Sequence, residues 1–211
     1  NAFTYVAGSP GKEALVKTSV PQMKIDTLIK LEELNNQALS KVKALKNFQE
    51  MHWSNKNDFY FVAGQDYYLG QKQENGWIYK KWESPENAEN IKVEYKTKQI
   101  AYTIDNNLYL RDNRNNIQQV TNDVDKNIIN GQAVHRNEFG IDGGIFFSPK
   151  GNFLAFYRMD QRMVNDYPII DWGESPAKNN NIKYPMAGGT SHQVTVGIYN
   201  PITHQTVYVK T

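Results

Sequence analysis

Phe147-Ser148-Pro149-Lys150-Gly151-Asn152 runs directly into Phe153-Leu154-Ala155-Phe156-Tyr157, and this junction of a turn with a strand is the repeating unit of the chain. Proline presets φ for the second position of a type I turn, and glycine supplies the permissive position that follows. The apolar, aromatic run behind the turn favours a strand. The same pattern recurs upstream. Trp53-Ser54-Asn55-Lys56-Asn57-Asp58 leads into Phe59-Tyr60-Phe61-Val62, with the same spacing from aromatic to strand. A shorter copy reads Tyr95-Lys96-Thr97-Lys98-Gln99, then Ile100-Ala101-Tyr102-Thr103-Ile104. In both earlier copies a second turn follows: Gly64-Gln65-Asp66 before Tyr67-Tyr68-Leu69, and Asp105-Asn106-Asn107 before Leu108-Tyr109-Leu110. Asn-rich turns of this kind tolerate left-handed backbone. A partial fourth copy opens the chain, where Tyr5-Val6-Ala7-Gly8 nearly repeats Phe61-Val62-Ala63-Gly64.

Units of strand, turn and strand repeated about every 40 residues match one four-stranded propeller blade each. The expected fold class is all-β: a partial β-propeller with three antiparallel blades and part of another. An ordinary meander or sandwich is the plainer alternative. Strands are predicted over residues 59–63, 100–104, 153–158 and 194–199. One short helix interrupts them. Leu31, Leu34, Leu39, Val42 and Leu45 recur at helical spacing among Lys and Glu, which predicts a helix over 31–40 with Leu45 as its furthest extent and its apolar face in the core.

With 24 Lys+Arg against 22 Asp+Glu, the 211 residues carry a formal charge of +2, and no imbalance points to nucleic acid or an anionic membrane. Hydrophobic residues make up 39%, mean hydropathy is -0.68, and no apolar run nears the ~18 residues of a membrane-spanning helix. The absence of cysteine excludes disulfide scaffolds, cysteine-based zinc sites and cysteine nucleophiles. It leaves the compartment open. Asn1 and Ala2 read as the scar of a cleaved affinity tag and are set aside from the fold.

Several motifs imitate chemistry without completing it. Gly189-Thr190-Ser191-His192-Gln193 resembles a nucleophile elbow but lacks its last glycine and the helix that should follow. His52, His135, His192 and His204 show no metal-ligand spacing and read as packed or surface histidines. Asp123-Val124-Asp125-Lys126-Asn127 matches the first ligand positions of a calcium loop, but Ile128 stands at the turn glycine and Val134 at the bidentate glutamate. It reads as a solvated turn. Gly140, Gly143 and Gly144 lack the spacing and lysine of a phosphate loop. No reacting constellation survives, no cofactor or metal is implied, and the chain by itself reads as non-catalytic.

The polar stretch 161–187 separates two predicted strands and reads as an insertion within a blade. It holds Tyr167-Pro168-Ile169-Ile170-Asp171-Trp172 and then Lys178-Asn179-Asn180-Asn181, which looks disordered. Apolar residues on an insertion suggest a contact surface, although a loop folded back on its own domain is commoner.

Ala133-Val134-His135-Arg136-Asn137-Glu138-Phe139-Gly140, followed by Phe146-Phe147-Ser148-Pro149-Lys150-Gly151 and Leu154-Ala155-Phe156-Tyr157-Arg158-Met159-Asp160, resembles the N-terminal β-propeller of the dipeptidyl peptidase IV family. These are serine peptidases of the prolyl oligopeptidase type. Lys183-Tyr184-Pro185-Met186-Ala187-Gly188 and Val194-Thr195-Val196 continue the resemblance in order, which is closest to the bacterial branch. It covers nearly the whole chain after Ala2. The resemblance implies about half of an eight-bladed propeller over 3–211, with the α/β-hydrolase domain and its Ser-Asp-His triad outside this stretch. It implies release of N-terminal dipeptides or, in a related branch, tripeptides, usually after proline. A pair of glutamates that receives the substrate's α-amino group falls here on Asn137 and Glu138, so Glu138 matches and Asn137 departs. The implied partners are a peptide with a free N-terminus, the chain's own C-terminal hydrolase domain, and a second copy joined through the 161–187 arm; nucleic acid is not among them. The implied location is extracytoplasmic, in the periplasm or at the cell surface. A non-catalytic propeller serving binding or assembly is the competing function, and a carbohydrate-binding propeller a third. A Gly-x-Ser-x-Gly elbow downstream of Thr211 separates the first from the others.

Overall fold

In a computed structural model, which describes residues 2–38, 44–64, 66–83, 85–135 and 138–210, the turn at 148–151 forms as its residues dictate. The Gly151 N–H donates to the Ser148 carbonyl at 2.8 Å, and Gly151 has φ of 67°. The Phe153 N–H donates to Ser148 Oγ at 3.1 Å, closing the approach to the strand. A Cβ on Gly151 would lie 2.6 Å from the Thr97 side chain, so close approach is a second reason for glycine here. The upstream copy turns by other means: Asn55 Oδ1 accepts the Asn57 N–H at 2.8 Å and the Asp58 N–H at 3.0 Å, and none of residues 54–57 has left-handed backbone.

The chain divides into two compact units, Asn1–Glu86 and Asn87–Thr211. In the first, β1 (Ala2–Ala7), β2 (Ala14–Ser19) and β3 (Lys24–Lys30) form an antiparallel sheet, and α1 (Leu31–Ala38) follows. Ala2 is registered against Ser19, so β1 starts there. The helix buries Leu31 and Leu34 and carries Glu32 and Glu33 in its first turn, where the helix dipole favours them. Its predicted extension to Ser40 falls partly outside the described residues. Leu45 is not helical: its backbone exchanges two hydrogen bonds with the Asn35 side chain, at 2.9 and 3.0 Å. The chain has turned back there. Next come β4 (Met51–Trp53), β5 (Asp58–Ala63), β6 (Asp66–Gln73) and β7 (Gly76–Trp82), paired in sequence order as a four-stranded sheet. Phe59 and Phe61 are buried with Leu15, Ile29, Leu31 and Leu34. The Phe59 ring lies 5.0 Å from Trp77 and 5.3 Å from Trp53. Phe59 faces Gly70 across the sheet, and a Cβ on Gly70 would come within 2.5 Å of the ring.

The second unit opens with another four-stranded sheet, β8 (Glu89–Glu94), β9 (Gln99–Ile104), β10 (Asn107–Arg111) and β11 (Ile117–Gln119). Its β9–β10 turn places Asp105 and Asn106 at φ of 47° and 65°, as a two-residue type I′ hairpin requires. The last sheet pairs β12 (Ile128–Asn130) and β13 (Ile145–Phe147) with opposite ends of β14 (Leu154–Asp160). A two-stranded hairpin follows, β15 (Asp166–Asp171) and β16 (Lys178–Lys183), and then β17 (Gln193–Asn200) and β18 (Gln205–Tyr208) complete the sheet. Phe156 faces Gly197, repeating the ring-over-glycine pairing of Phe59 and Gly70. All four predicted strands are present as β5, β9, β14 and β17, and among the described residues the fold is all-β apart from one short helix.

The sequence reading of Lys178-Asn179-Asn180-Asn181 as disordered is wrong. These residues are β16, registered residue for residue against β15. A ladder of backbone bonds stabilises a polar strand that has no apolar alternation of its own.

Candidate functional site

The last sheet differs from its neighbours in where the chain leaves it. Its first-strand position is split into β12 and β13, and residues 131–144 loop out between them. Both ends of the loop meet Tyr157: the Gly131 N–H donates to its carbonyl at 2.8 Å, and its own N–H donates to the Gly144 carbonyl at 3.0 Å. Gly131 has φ of 69°. A Cβ on Gly144 would sit 2.1 Å from the Gln132 carbonyl oxygen, so only glycine closes the neck. Inside the loop, Val134 is buried, while His135, Phe139 and Gly140 all have positive φ, at 54°, 58° and 73°. The Glu138 N–H donates to the His135 carbonyl at 2.9 Å. Non-glycine residues held in this backbone region mark places where the surroundings over-determine the conformation.

Glu138 lines a cavity of about 270 Å³ together with Ala133, His135, Met159, Lys183, Tyr184 and His192. The walls come from the 131–144 loop, the end of β14, the end of β16 and the segment leading into β17. Lys183 forms an ion pair with Asp166 at 3.1 Å and donates to the Val164 carbonyl at 2.9 Å. That partner offsets its charge. The rings of His135 and His192 lie 5.2 Å apart. Burial first, and the nearby His135 second, lower the pKa of His192 below the ordinary histidine value, so its ring is uncharged at neutral pH. Its Nε2 is buried with no hydrogen-bond partner. The cavity thus brings the acidic side chain of Glu138 and an uncharged His192 ring into one lining, an arrangement suited to a small cation with hydrogen bonds to give.

Asn137 and Arg136 lie outside the described residues. Phe139 is not the buried anchor of the loop that its apolar character suggests, because it is 85% exposed and its ring meets only His135 edge-on at 6.0 Å among the described ring pairs. Val134 and the glycine neck hold the loop instead. Ser191 is exposed and is followed by strand β17. Asp123, the first residue of the calcium-like run, accepts from Arg158 at 2.8 Å and from Asn130 at 3.0 Å. Burial works to raise its carboxyl, but those hydrogen bonds and the guanidinium charge outweigh it and hold the group below the usual carboxylate range. Among the described residues, no three His, Cys, Asp or Glu side chains are placed to hold a metal ion. The pairing of His135 with His192 carries no signal in spacing, because the residues belong to separate loops.

The 161–187 stretch is tied down at its base by buried Val164 and by the Tyr184 N–H, which donates to the Asn165 carbonyl at 3.1 Å. Beyond that base β15 carries exposed Tyr167, Ile169 and Ile170, and Trp172 just after it is 82% exposed.

The sequence profile described as "Dipeptidyl peptidase IV (DPP IV) N-terminal region" matches residues 48–211. A Talaromyces marneffei protein provisionally assigned as a dipeptidyl-aminopeptidase B is 32% identical over 117 residues, which is 48% of this chain and 13% of that protein. A crystal structure from Bacteroides ovatus, provisionally assigned as a dipeptidyl aminopeptidase IV, superposes with a TM-score of 0.75 at 35% identity, covering 99% of this chain and 31% of that one. Porphyromonas gingivalis dipeptidyl peptidase 4 shares the fold at a TM-score of 0.64 and 22% identity, with the same coverage of 99% and 31%. The chain therefore spans under a third of those structures. Its repeated antiparallel sheets match part of a dipeptidyl peptidase propeller, and the chain belongs to the dipeptidyl peptidase IV N-terminal region family.

Proposed function

We propose that this chain is the part of a serine exopeptidase's propeller that gates the substrate and recognises its free N-terminus, with Glu138 receiving the α-ammonium group. The observation that carries the reading is the placement of Glu138 on the wall of a cavity, on a loop closed by Gly131 and Gly144. A carboxylate pairs with an ammonium and accepts its hydrogen bonds, and it rejects a peptide whose N-terminus is blocked. With Asn137 in place of a second glutamate, the amine is held by one carboxylate. The distance from that point to the scissile bond decides whether dipeptides or tripeptides are released, and proline before the cleaved bond is the expected preference. The nucleophile belongs to a hydrolase domain that pairs with this propeller. The exposed β15–β16 hairpin supports self-association into a homodimer, and the reading carries with it an extracytoplasmic location.

Removing one charge-assisted contact at such a site costs about 2–4 kcal/mol, or roughly thirty- to a thousandfold in kcat/KM. In the protein that joins this chain to its hydrolase domain, Glu138→Gln is expected to lower kcat/KM by that factor on peptides with free N-termini. Titration of the active site by a small serine-directed reagent is expected to stay unchanged. Full activity of Glu138→Gln on free-amine peptides would remove the assignment.

A further inference from the structure

Val134 and the glycine neck hold the base of the loop that carries Glu138, which leaves the backbone at His135 and Phe139 to be fixed by other contacts. His135 and Phe139 both occupy left-handed backbone, which side chains other than glycine adopt only when their surroundings fix them there. The Glu138 N–H donates to the His135 carbonyl at 2.9 Å, so a displacement of His135 is passed to Glu138 through that bond. His135 itself is exposed. Its described ring contacts are Phe139, from the same loop and mostly in solvent, and His192, from the segment leading into β17. His192 is therefore the ring that reaches His135 from outside the loop.

What His192 contributes follows from its surroundings. Its Nε2 is buried without a hydrogen-bond partner, so that nitrogen holds nothing in place. Burial and the neighbouring His135 keep the ring uncharged, and it packs as a flat plate and not as a cation beside an ammonium site.

We propose that His192 is a positioning residue for Glu138: its ring seats His135, and through the His135 carbonyl that accepts the Glu138 N–H it fixes Glu138 on the cavity wall. The inference rests on the reading that Glu138 receives the substrate's α-ammonium. It also accounts for how a loop with a single family carboxylate is kept in register with the rest of the cavity.

The test is steady-state kinetics on a chromogenic peptide with a free N-terminus, in the protein that carries this chain with its hydrolase domain. His192→Ala, His192→Gln, His192→Phe and Glu138→Gln are compared, each normalised to active sites titrated with a serine-directed reagent. His192→Ala and His192→Gln remove the plate and are expected to raise KM roughly ten- to a hundredfold, the scale of a misplaced binding group, with kcat nearly unchanged. His192→Phe keeps the plate and loses only the unpartnered nitrogen, so it is expected to stay close to the parent in both constants. A general loss of structure would instead lower the titrated active sites and affect all three His192 variants. The proposal is overturned if His192→Gln keeps the parent KM, or if His192→Phe is as impaired as His192→Gln. If Glu138→Gln impairs free-amine peptides while His192→Gln does not, His192 loses its role and the reading of Glu138 stands. If Glu138→Gln has no effect, both fall together.

Discussion

Phe59 lies over Gly70 in the sheet β4–β7, and Phe156 lies over Gly197 in the sheet built on β14 and β17. The two sheets share this device and differ in how their strands are joined. In β4–β7 the strands follow one another through short turns, and Trp53, Phe59, Phe61, Tyr68 and Trp77 pack ring against ring. In the later sheet the chain leaves twice, first between β12 and β13 and again between β14 and β17. Those two departures carry Glu138, His135, Tyr184 and His192 to one cavity. The sheet that stays closed is scaffold. The sheet that opens carries the candidate site, and its strands remain paired because each departure returns to the register it left.

This contrast is broken most easily at the aromatic scaffold. Phe59→Ala is expected to destabilise the fold by about 3–5 kcal/mol in urea unfolding, since a buried ring is removed from a packed cluster. Phe139→Ala, on the site loop, is expected to change stability by less than about 0.5 kcal/mol because its ring is in solvent. Equal losses at the two positions would erase the distinction between scaffold and site.

The shared device predicts shared sensitivity. Gly70→Ala and Gly197→Ala each drive a methyl into the facing phenylalanine ring and are expected to cost about 1–3 kcal/mol by overpacking. A neutral result at one of them would show that its ring is free to move aside, and that the two sheets are not built alike.

The polar counterpart to the aromatic cluster is the Asp123–Arg158 pair, at 2.8 Å and only partly exposed. Because the folded state holds the Asp123 carboxyl below its ordinary range, the pair's contribution is fully present above about pH 4 and is lost as pH falls through the lowered value. Asp123→Asn is expected to cost about 2 kcal/mol at neutral pH and less at acid pH, measured as the shift of the urea midpoint in each buffer. A cost that is independent of pH would deny the pair its charge.

A change at the hairpin is expected to cost as little stability as Phe139→Ala, and its readout is the most specific. Trp172→Ser removes an exposed ring and is expected to change stability by under about 0.5 kcal/mol. If the hairpin joins two copies, the same change shifts the mass measured by light scattering toward the monomer. An unchanged oligomer would separate the hairpin from assembly.

The scaffold was legible in the sequence because its turns are chemically explicit. Pro149 and Gly151 fix one turn, and Asp105-Asn106 tolerates the left-handed backbone of another. The polar strand Lys178–Lys183 was not legible, because its stability lies in pairing with Asp166–Asp171 and leaves no periodic trace in its own residues. The split of one strand into β12 and β13 left only Gly131 and Gly144 as signals. Glu138 came from family resemblance, and its cavity partners could not follow from spacing: His192 is distant in sequence and meets His135 only after β14 and β17 have paired. Local chemistry wrote the turns, and long-range pairing wrote the site.

Glu138 is proposed to hold the substrate's amino terminus. The most direct measurement is a crystal structure of the full-length protein that contains this chain and the proposed hydrolase domain, bound to a slowly cleaved peptide with a free N-terminus. The account predicts the ammonium nitrogen within about 2.7–3.2 Å of a Glu138 carboxylate oxygen, the range of a charge-assisted hydrogen bond. A peptide bound in the active site with its ammonium held by other groups, and Glu138 turned to solvent, would contradict it.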